Sequence, residues 1–170
     1  MCPAKCLPVE PLAKEAFRSF GDVIEMDGAE MRTINEGFAR RFHDLARIDA
    51  GREGGRPVLS LFRATLRPRP IVIGMLERHP LGSQAFYPLS TADWLVVVAE
   101  GGAECPDLAT LRCFRARGDQ GVNYAADTWH FPVLVLVPEQ DFLVVDRAGP
   151  GNNLVEYPFA ADARVTIDLA

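Results

Sequence analysis

The chain alternates hydrophobic and polar residues over short stretches, which predicts β-strands rather than helices. About a dozen such stretches occur, and Gly, Pro, Asn or Asp stands at most of the breaks between them. They are Val23–Met26, Arg32–Asn35, Arg41–Ile48, Val58–Leu66, Trp94–Ala99, Leu111–Arg115, Gly121–Tyr124, Val133–Val137, Phe142–Asp146, Leu154–Tyr157 and Val165–Leu169, with two more between Ile71 and Leu89. The pattern predicts an all-β fold, a barrel or sandwich of short antiparallel strands with few short helices.

One short helix is predicted near the N-terminus, from about Leu12 to Phe20. Its apolar side consists of Leu12, Phe17 and Phe20, and Gly21 ends it. No linker composition, internal repeat or low-complexity segment divides the sequence, so residues 1–170 are expected to form one domain.

The stretch 71–89 places polar residues at the end of an apolar strand. With a period of two, Glu77 and His79 share a face with the apolar residues that precede them, Ile71, Ile73 and Met75. A Pro-Leu-Gly-Ser sequence then predicts a reversal, and Gln84 begins a second strand. We therefore expect Glu77, His79 and Gln84 to meet at the mouth of an apolar interior, on both sides of one hairpin. The alternative is a solvated strand end in which Glu77 and His79 bond each other.

The other two histidines of the chain differ in their surroundings. His130 precedes the apolar stretch Val133–Val137 and, by alternation, shares a face with Leu134 and Leu136, so it could meet His79 across the mouth of a barrel. Imidazole suits both acid–base catalysis and metal binding. The alternative for His130 is a core histidine bonded to a backbone carbonyl. For His43, a structural or subunit-contact role is at least as well supported as a catalytic one.

Composition narrows the choice of partners. The net charge of −5 argues against nucleic acid or an anionic membrane as a partner. The hydrophobic fraction of 48% is that of a globular protein, without an apolar run long enough to span a bilayer. The four cysteines, at positions 2, 6, 105 and 113, lack zinc-site spacing and are expected to be free thiols in a cytoplasmic protein.

The order Glu77-x-His79-x4-Gln84, followed downstream by His130, resembles the metal motif of the cupin superfamily. That motif has two histidines one residue apart, then a glutamate, then a third histidine. Here Glu77 stands at the first histidine position and Gln84 at the glutamate, and Ala-Ala-Asp replaces a Pro-x-Gly before the last histidine. Because two of the four ligand positions are altered, Glu77, His79, Gln84 and His130 are expected to bind a divalent metal weakly, if a metal is bound.

A closer resemblance covers almost the whole chain and is to bacterial ureidoglycolate lyases. It is carried by the runs 20–25, 42–46, 77–86, 106–108, 121–124, 129–130, 141–143 and 146–147, of which 77–86 is the most diagnostic. The resemblance implies a cupin-like β-barrel or jelly-roll sandwich and a cytoplasmic homodimer. It also implies cleavage of ureidoglycolate to glyoxylate and urea in allantoin degradation, and nickel as the associated metal.

That substrate gives the candidate residues chemical roles. Breaking its C–N bond needs a base for the hydroxyl proton, which His79, His130 or Glu77 could be. Gln84 and Tyr124 can bond the ureido group. Arg63, by the parity of its strand, is expected to be buried and to face the cavity, where it would pair with the substrate carboxylate, with Arg147 as a weaker candidate. The alternative functions are a metal-dependent cupin acting on another small carboxylic acid and a non-catalytic ligand-binding cupin.

Overall fold

The computed structural model describes residues 5–167 and residue 169 of the 170-residue chain. Within these residues the dominant element is the short strand. The strands are β1 (Lys5–Leu7), β2 (Val9–Pro11), β3 (Gly21–Ile24), β4 (Glu30–Ile34), β5 (Ala39–His43), β6 (Arg56–Thr65), β7 (Ile71–Ile73), β8 (Met75–Arg78), β9 (Gln84–Pro88), β10 (Trp94–Ala99), β11 (Arg112–Ala116), β12 (Gly121–Tyr124), β13 (Trp129–His130), β14 (Leu134–Val135), β15 (Glu139–Ala148), β16 (Val155–Pro158) and β17 (Val165–Ile167). The helix α1 (Lys14–Phe17) and four 3₁₀ turns complete the described part: Asn35–Gly37, Arg52–Gly54, Leu108–Thr110 and Ala161–Ala163.

The described strands form two large sheets and two small ones. A seven-stranded sheet has the order β16-β8-β13-β10-β11-β2, with β14 also paired to β10, and a five-stranded sheet has the order β3-β12-β9-β15-β6. The small sheets are β1-β17-β7 and the hairpin β4-β5. Most pairs are antiparallel; β1 with β17 and β2 with β11 are parallel. The predicted all-β class, with short and mainly antiparallel strands, is confirmed.

Two hydrophobic cores lie on opposite faces of the seven-stranded sheet. The first core joins this sheet to the five-stranded one and includes Trp94, Val96 and Phe142. The second core joins it to the β1-β17-β7 sheet and includes Leu95, Val97 and Ile73. Strand β10 supplies alternate residues to both cores, and all six of its residues are buried. Its continuous apolar run therefore reflects burial on both faces.

The stretch 71–89 departs from the predicted hairpin in two ways. Gly74 interrupts the first strand, so β7 lies in the three-stranded sheet and β8 in the seven-stranded one. Strand β9 belongs to the five-stranded sheet, so β8 and β9 are not partners. The loop between β8 and β9 is hydrogen-bonded to other parts of the chain. The backbone N–H of Ser83 donates to the carbonyl of Asp49, and that of Leu81 donates to the side chain of Asn153. The chain thus passes from one sheet to the other.

The region after His130 also differs from the prediction. Only Leu134–Val135 of the predicted strand Val133–Val137 is a strand, and an irregular stretch separates it from β13. Alternation is not maintained through that break. His130 pairs with Val98 of the first core, whereas Leu134 belongs to the second core, so the two do not share a face.

The N-terminal helix is shorter than predicted, with only Lys14–Phe17 helical. Its predicted apolar residues Leu12, Phe17 and Phe20 are all buried in the first core. Gly21 follows with a φ of +141°, and a Cβ at this position would lie 1.9 Å from the carbonyl oxygen of Asn123, so a larger residue does not fit.

The cysteines within the described residues are free thiols, as expected. Cys6 and Cys105 are exposed free thiols, Cys113 is a buried one, and Cys2 lies outside the described residues. No helix within the described ranges has the length and hydrophobicity needed to cross a bilayer. The single domain over residues 1–170 stays a prediction.

Candidate functional site

Three polar side chains converge on the inner face of the seven-stranded sheet, where β8 and β13 are neighbours. Glu77 and His130 lie directly opposite each other in the antiparallel register, with His130 Nε2 3.6 Å from Glu77 Oε1. His79 follows β8 by one residue, and its ring centroid is 5.2 Å from that of His130. One potential ligand atom from each of Glu77, His79 and His130 lies within 4.8 Å of the other two. We refer to these three residues as the Glu–His–His cluster.

Backbone carbonyls fix the orientation of both imidazoles. His79 Nδ1 is 2.7 Å from the carbonyl oxygen of Asn153, and His130 Nδ1 is 2.8 Å from that of Thr128. Because a carbonyl oxygen only accepts, each Nδ1 carries the hydrogen, and the lone pair of each neutral ring is on Nε2. Both Nε2 atoms are buried, and neither has a hydrogen-bond partner within the described part of the chain. This is the arrangement in which protein histidines bind metals.

The five-stranded sheet contributes a second set of polar groups that faces the cluster. Tyr124 of β12 stacks on His130, with ring centroids 4.1 Å apart and an interplanar angle of 12°. Gln84 of β9 lies opposite Tyr124 in the register and is buried. The crossing of the chain between β8 and β9 therefore places Glu77 and His79 on one sheet and Gln84 on the other. Three of the four predicted metal ligands therefore come together, and the fourth, Gln84, lies on the facing sheet next to Tyr124, so no hairpin unites them.

Burial governs the protonation of the site. It raises the pKa of Glu77, against the opposing effect of nearby His79. Burial, and secondly His79, lowers the pKa of His130 to about 3, so this imidazole is neutral at physiological pH. Burial also raises the pKa of the Tyr124 phenol, with a smaller contribution from Glu77. Tyr124 therefore retains its proton and can donate a hydrogen bond.

Asp146 is a member of the site that our sequence analysis did not single out. It ends the alternation Phe142, Val144, Asp146 on β15, whose first two members are buried in the first core. Its carboxylate lies near the Gln84 side chain and near His79, and burial raises its pKa although both of these neighbours lower it. The alternation of β15 could have identified it, since an acid in register with two core residues points to the same interior.

The two predicted substrate-binding arginines lie elsewhere. Arg63 is exposed and pairs with Asp141, its Nε 2.8 Å from Oδ1 and its Nη2 2.9 Å from Oδ2. The expectation of a buried Arg63 facing the cavity is wrong, because Leu59 and Leu61, which share its face, are also exposed. Arg147 is buried, but its guanidinium donates to backbone carbonyls: twice to that of Arg52 and once to that of Pro150.

His43 lies apart from the Glu–His–His cluster. It ends β5 in the two-stranded sheet, opposite Glu30. There it lines a cavity of about 470 Å³ together with charged residues that include Lys14 and Asp22. The structure therefore does not bring the third histidine of the chain to the other two.

Comparison with known proteins adds information that the geometry does not contain. A family model described as ureidoglycolate lyase matches residues 4–166. A ureidoglycolate lyase of Brucella melitensis biotype 2 is 54% identical over 91% of this chain and 90% of its own length. One of Pseudomonas syringae pv. tomato is 49% identical over 96% of each protein.

Among solved structures, an S161A mutant of Bacillus subtilis oxalate decarboxylase matches with a TM-score of 0.38 and 11% identity. The match covers 60% of this chain and 23% of that one. At these values nothing about the present chain follows from it.

Proposed function

Because this chain belongs to the ureidoglycolate lyase family, we propose that it cleaves ureidoglycolate to glyoxylate and urea in purine and allantoin breakdown. The observation that carries the proposal is the Glu–His–His cluster, in which two buried Nε2 atoms without partners among the described residues face a carboxylate. Such unsatisfied buried groups are costly to maintain and mark functional sites.

The reaction is an elimination from the carbon that carries the hydroxyl, the carboxylate and the ureido nitrogen. A base takes the hydroxyl proton, the C–O bond becomes the carbonyl of glyoxylate, and the C–N bond breaks. The electron pair of that bond goes to the departing nitrogen, which gains a proton as urea leaves. The protein must therefore supply a proton acceptor at one end of the substrate and a donor at the other.

The site offers groups for both tasks. The base is drawn from Glu77 and His79, since the low pKa of buried His130 makes this imidazole a weak proton acceptor. Tyr124, whose phenol stays protonated, is the proposed donor to the departing nitrogen, and its stacking on His130 holds it beside the cluster. Gln84 is proposed to bond the ureido group. These groups stand on two facing sheets, so the substrate would lie between them.

The donor set also fits a divalent metal. Two imidazoles with fixed orientation and one carboxylate, whose ligand atoms lie within 4.8 Å of one another, form a ligand set used for first-row transition metals. We propose that Glu77, His79 and His130, with or without Gln84, hold such an ion weakly, and nickel is the metal to test. A bound ion would supply positive charge for the carboxylate and hydroxyl oxygens of the substrate.

That charge matters because neither predicted arginine is available for the carboxylate. Arg63 is paired with Asp141 on the exposed face of its sheet, and Arg147 is bonded to backbone carbonyls. We therefore propose that a metal ion held by the cluster, and neither of these two arginines, would supply the positive charge for the carboxylate.

Assembly and location complete the proposal. We propose a homodimer, supported by exposed apolar residues on the outer face of β6, Leu59 and Leu61, and on the β4-β5 hairpin, where Phe38 is 91% exposed. Exposed apolar side chains in this number suit a contact between subunits.

We also propose a cytoplasmic location, supported by the free thiols of Cys6, Cys105 and Cys113.

The decisive test is the identity of the nitrogen product. Purified protein should release intact urea from ureidoglycolate, in an assay free of urease, together with one equivalent of glyoxylate. Ammonia in place of urea would contradict the proposal, because it would indicate hydrolysis at the ureido carbonyl. No turnover with or without nickel would favour a ligand-binding protein or an enzyme for another small acid.

A further inference from the structure

The side-chain amide of Gln84 lies beside a carboxylate. In the antiparallel register of β9 and β15, Ala85 is paired with Val145. The adjoining positions are Gln84 and Asp146, so their side chains lie next to each other on the inner face. The Asp146 carboxylate lies close enough to the Gln84 side-chain amide for that amide to lower the pKa of the carboxyl group. A carboxylate accepts hydrogen bonds, so the amide nitrogen Nε2 is turned toward Asp146.

The consequence is that Gln84 offers its oxygen to the site. With Nε2 turned toward Asp146, Oε1 points the other way; it is buried and has no partner among the described residues. Tyr124, which stacks on His130, is the cross-strand neighbour of Gln84 on its other side. The free acceptor is therefore on the part of the five-stranded sheet that faces the Glu–His–His cluster.

A neutral acceptor fits one end of ureidoglycolate in particular. The ureido group carries N–H donors, whereas the opposite end of the molecule is an anionic carboxylate. An amide oxygen accepts from N–H without adding negative charge, whereas a glutamate at this position would place a further carboxylate beside Asp146 and repel the anion.

We propose that Asp146 is a positioning residue that holds the Gln84 amide with Oε1 toward the substrate, and that this oxygen recognises the ureido N–H groups. The identity of the substrate in this inference rests on the proposed function. Asp146 itself does not contact the substrate; it acts by preventing the amide from turning over.

The kinetic test is a double-mutant cycle on Gln84→Leu and Asp146→Ala. Each single variant should raise the KM for ureidoglycolate about tenfold or more, and the double variant should be no worse than Gln84→Leu alone. Inhibition by glyoxylate, which lacks a ureido group, should change less than about twofold in all three. Asp146→Asn, which retains an acceptor for Nε2, should restore part of the loss.

A matched control is Gln140→Leu. Gln140 is also buried on β15, its Nε2 donates to the carbonyl of Ala92 at 2.9 Å, and its Oε1 lacks a partner within residues 5–167. It lies six positions from Asp146, roughly 20 Å along the strand, so its loss should leave KM unchanged. If the effects of Gln84→Leu and Asp146→Ala simply add, or if glyoxylate inhibition weakens as much as KM rises, the inference is wrong. A loss of nickel affinity in Gln84→Leu would assign Oε1 to the metal and also overturn it.

A spectroscopic readout separates this inference from the proposed function. In the ¹H–¹⁵N spectrum, the Gln84 side-chain pair, identified by its disappearance in Gln84→Leu, should exchange slowly with water in the wild type and fast in Asp146→Ala. Equal exchange in both proteins would refute the positioning role. Slow exchange in a wild type that releases no urea would support the orientation while contradicting the lyase activity.

Discussion

Replacement of Arg147 by Met tests whether this arginine supports the fold or binds the substrate. Its guanidinium makes three hydrogen bonds to two backbone carbonyls, at 2.7–3.1 Å, and so joins the Arg52–Gly54 turn to the turn after β15. A hydrogen bond to a charged group contributes about 1.5–3 kcal/mol. Because the substitution leaves two carbonyls without their donor, the free energy of unfolding should fall by at most about 3–6 kcal/mol. Both carbonyls belong to exposed residues and can be rehydrated in part. We expect a net loss of about 2–4 kcal/mol.

Urea denaturation measures this loss, and steady-state kinetics measure binding. The unfolding midpoint of Arg147→Met should fall by about 1–2 M urea, while KM in the folded protein stays within about threefold of wild type. The matched control is Arg63→Met, which removes an exposed ion pair with Asp141 and should change neither quantity measurably. The reasoning is wrong if Arg147→Met leaves the urea midpoint unaltered and raises KM at least about tenfold. That result would show that Arg147 binds the substrate.

Other predictions concern the metal, the core, a buried thiol and the hairpin. His130→Ala should weaken nickel binding in calorimetry at least about tenfold, and unaltered binding would exclude this histidine as a ligand. Phe142→Ala should lower the free energy of unfolding by about 3–5 kcal/mol, because the ring is fully buried and 4.9 Å from that of Trp94; a loss below about 1 kcal/mol would contradict this packing. Burial raises the pKa of Cys113 to about 12, so at pH 8 its thiol should react with Ellman's reagent only after unfolding, and native Cys113→Ser should match the wild type in fast-reacting thiols. Phe38→Ser should leave the unfolding midpoint of the subunit unchanged but shift light-scattering mass from dimer toward monomer; an unchanged mass at low protein concentration would remove this residue from the subunit contact.

The sequence was most informative where hydrophobic alternation was unbroken. Trp94–Ala99 and Gly121–Tyr124 have the strand limits that their patterns predicted. Glu77 and His79 lie close together because only one residue separates them. This prediction is confirmed even though the longer strand and the hairpin did not form. The meeting of His79 with His130 also followed from the sequence, because each lies at the end of a strand bordering apolar residues.

The failures have a common physical origin in ambiguous or interrupted alternation. In Val58–Leu66 both faces of the strand carry apolar residues. The alternation of Leu59 and Leu61 suggested that their face was the inner one, but in the structure Phe62 and Ala64 face the core. At Gly74 the strand breaks and changes sheet, which no periodicity reveals. The approach of Gln84 to Asp146 depends on the pairing of strands whose facing residues are 62 positions apart in sequence, a non-local relation that the spacing of residues along one chain does not reveal.

Strand β10 has a consequence for how the molecule opens. Its residues alternate between the two cores, so the packing on one face cannot be lost without loosening the other. Thermal motion should therefore not melt either core separately, and heating should produce one cooperative transition. The amide hydrogens of Val96, Val97 and Val98 should be among the slowest in the chain to exchange with deuterated solvent, since they become accessible only when the whole structure unfolds.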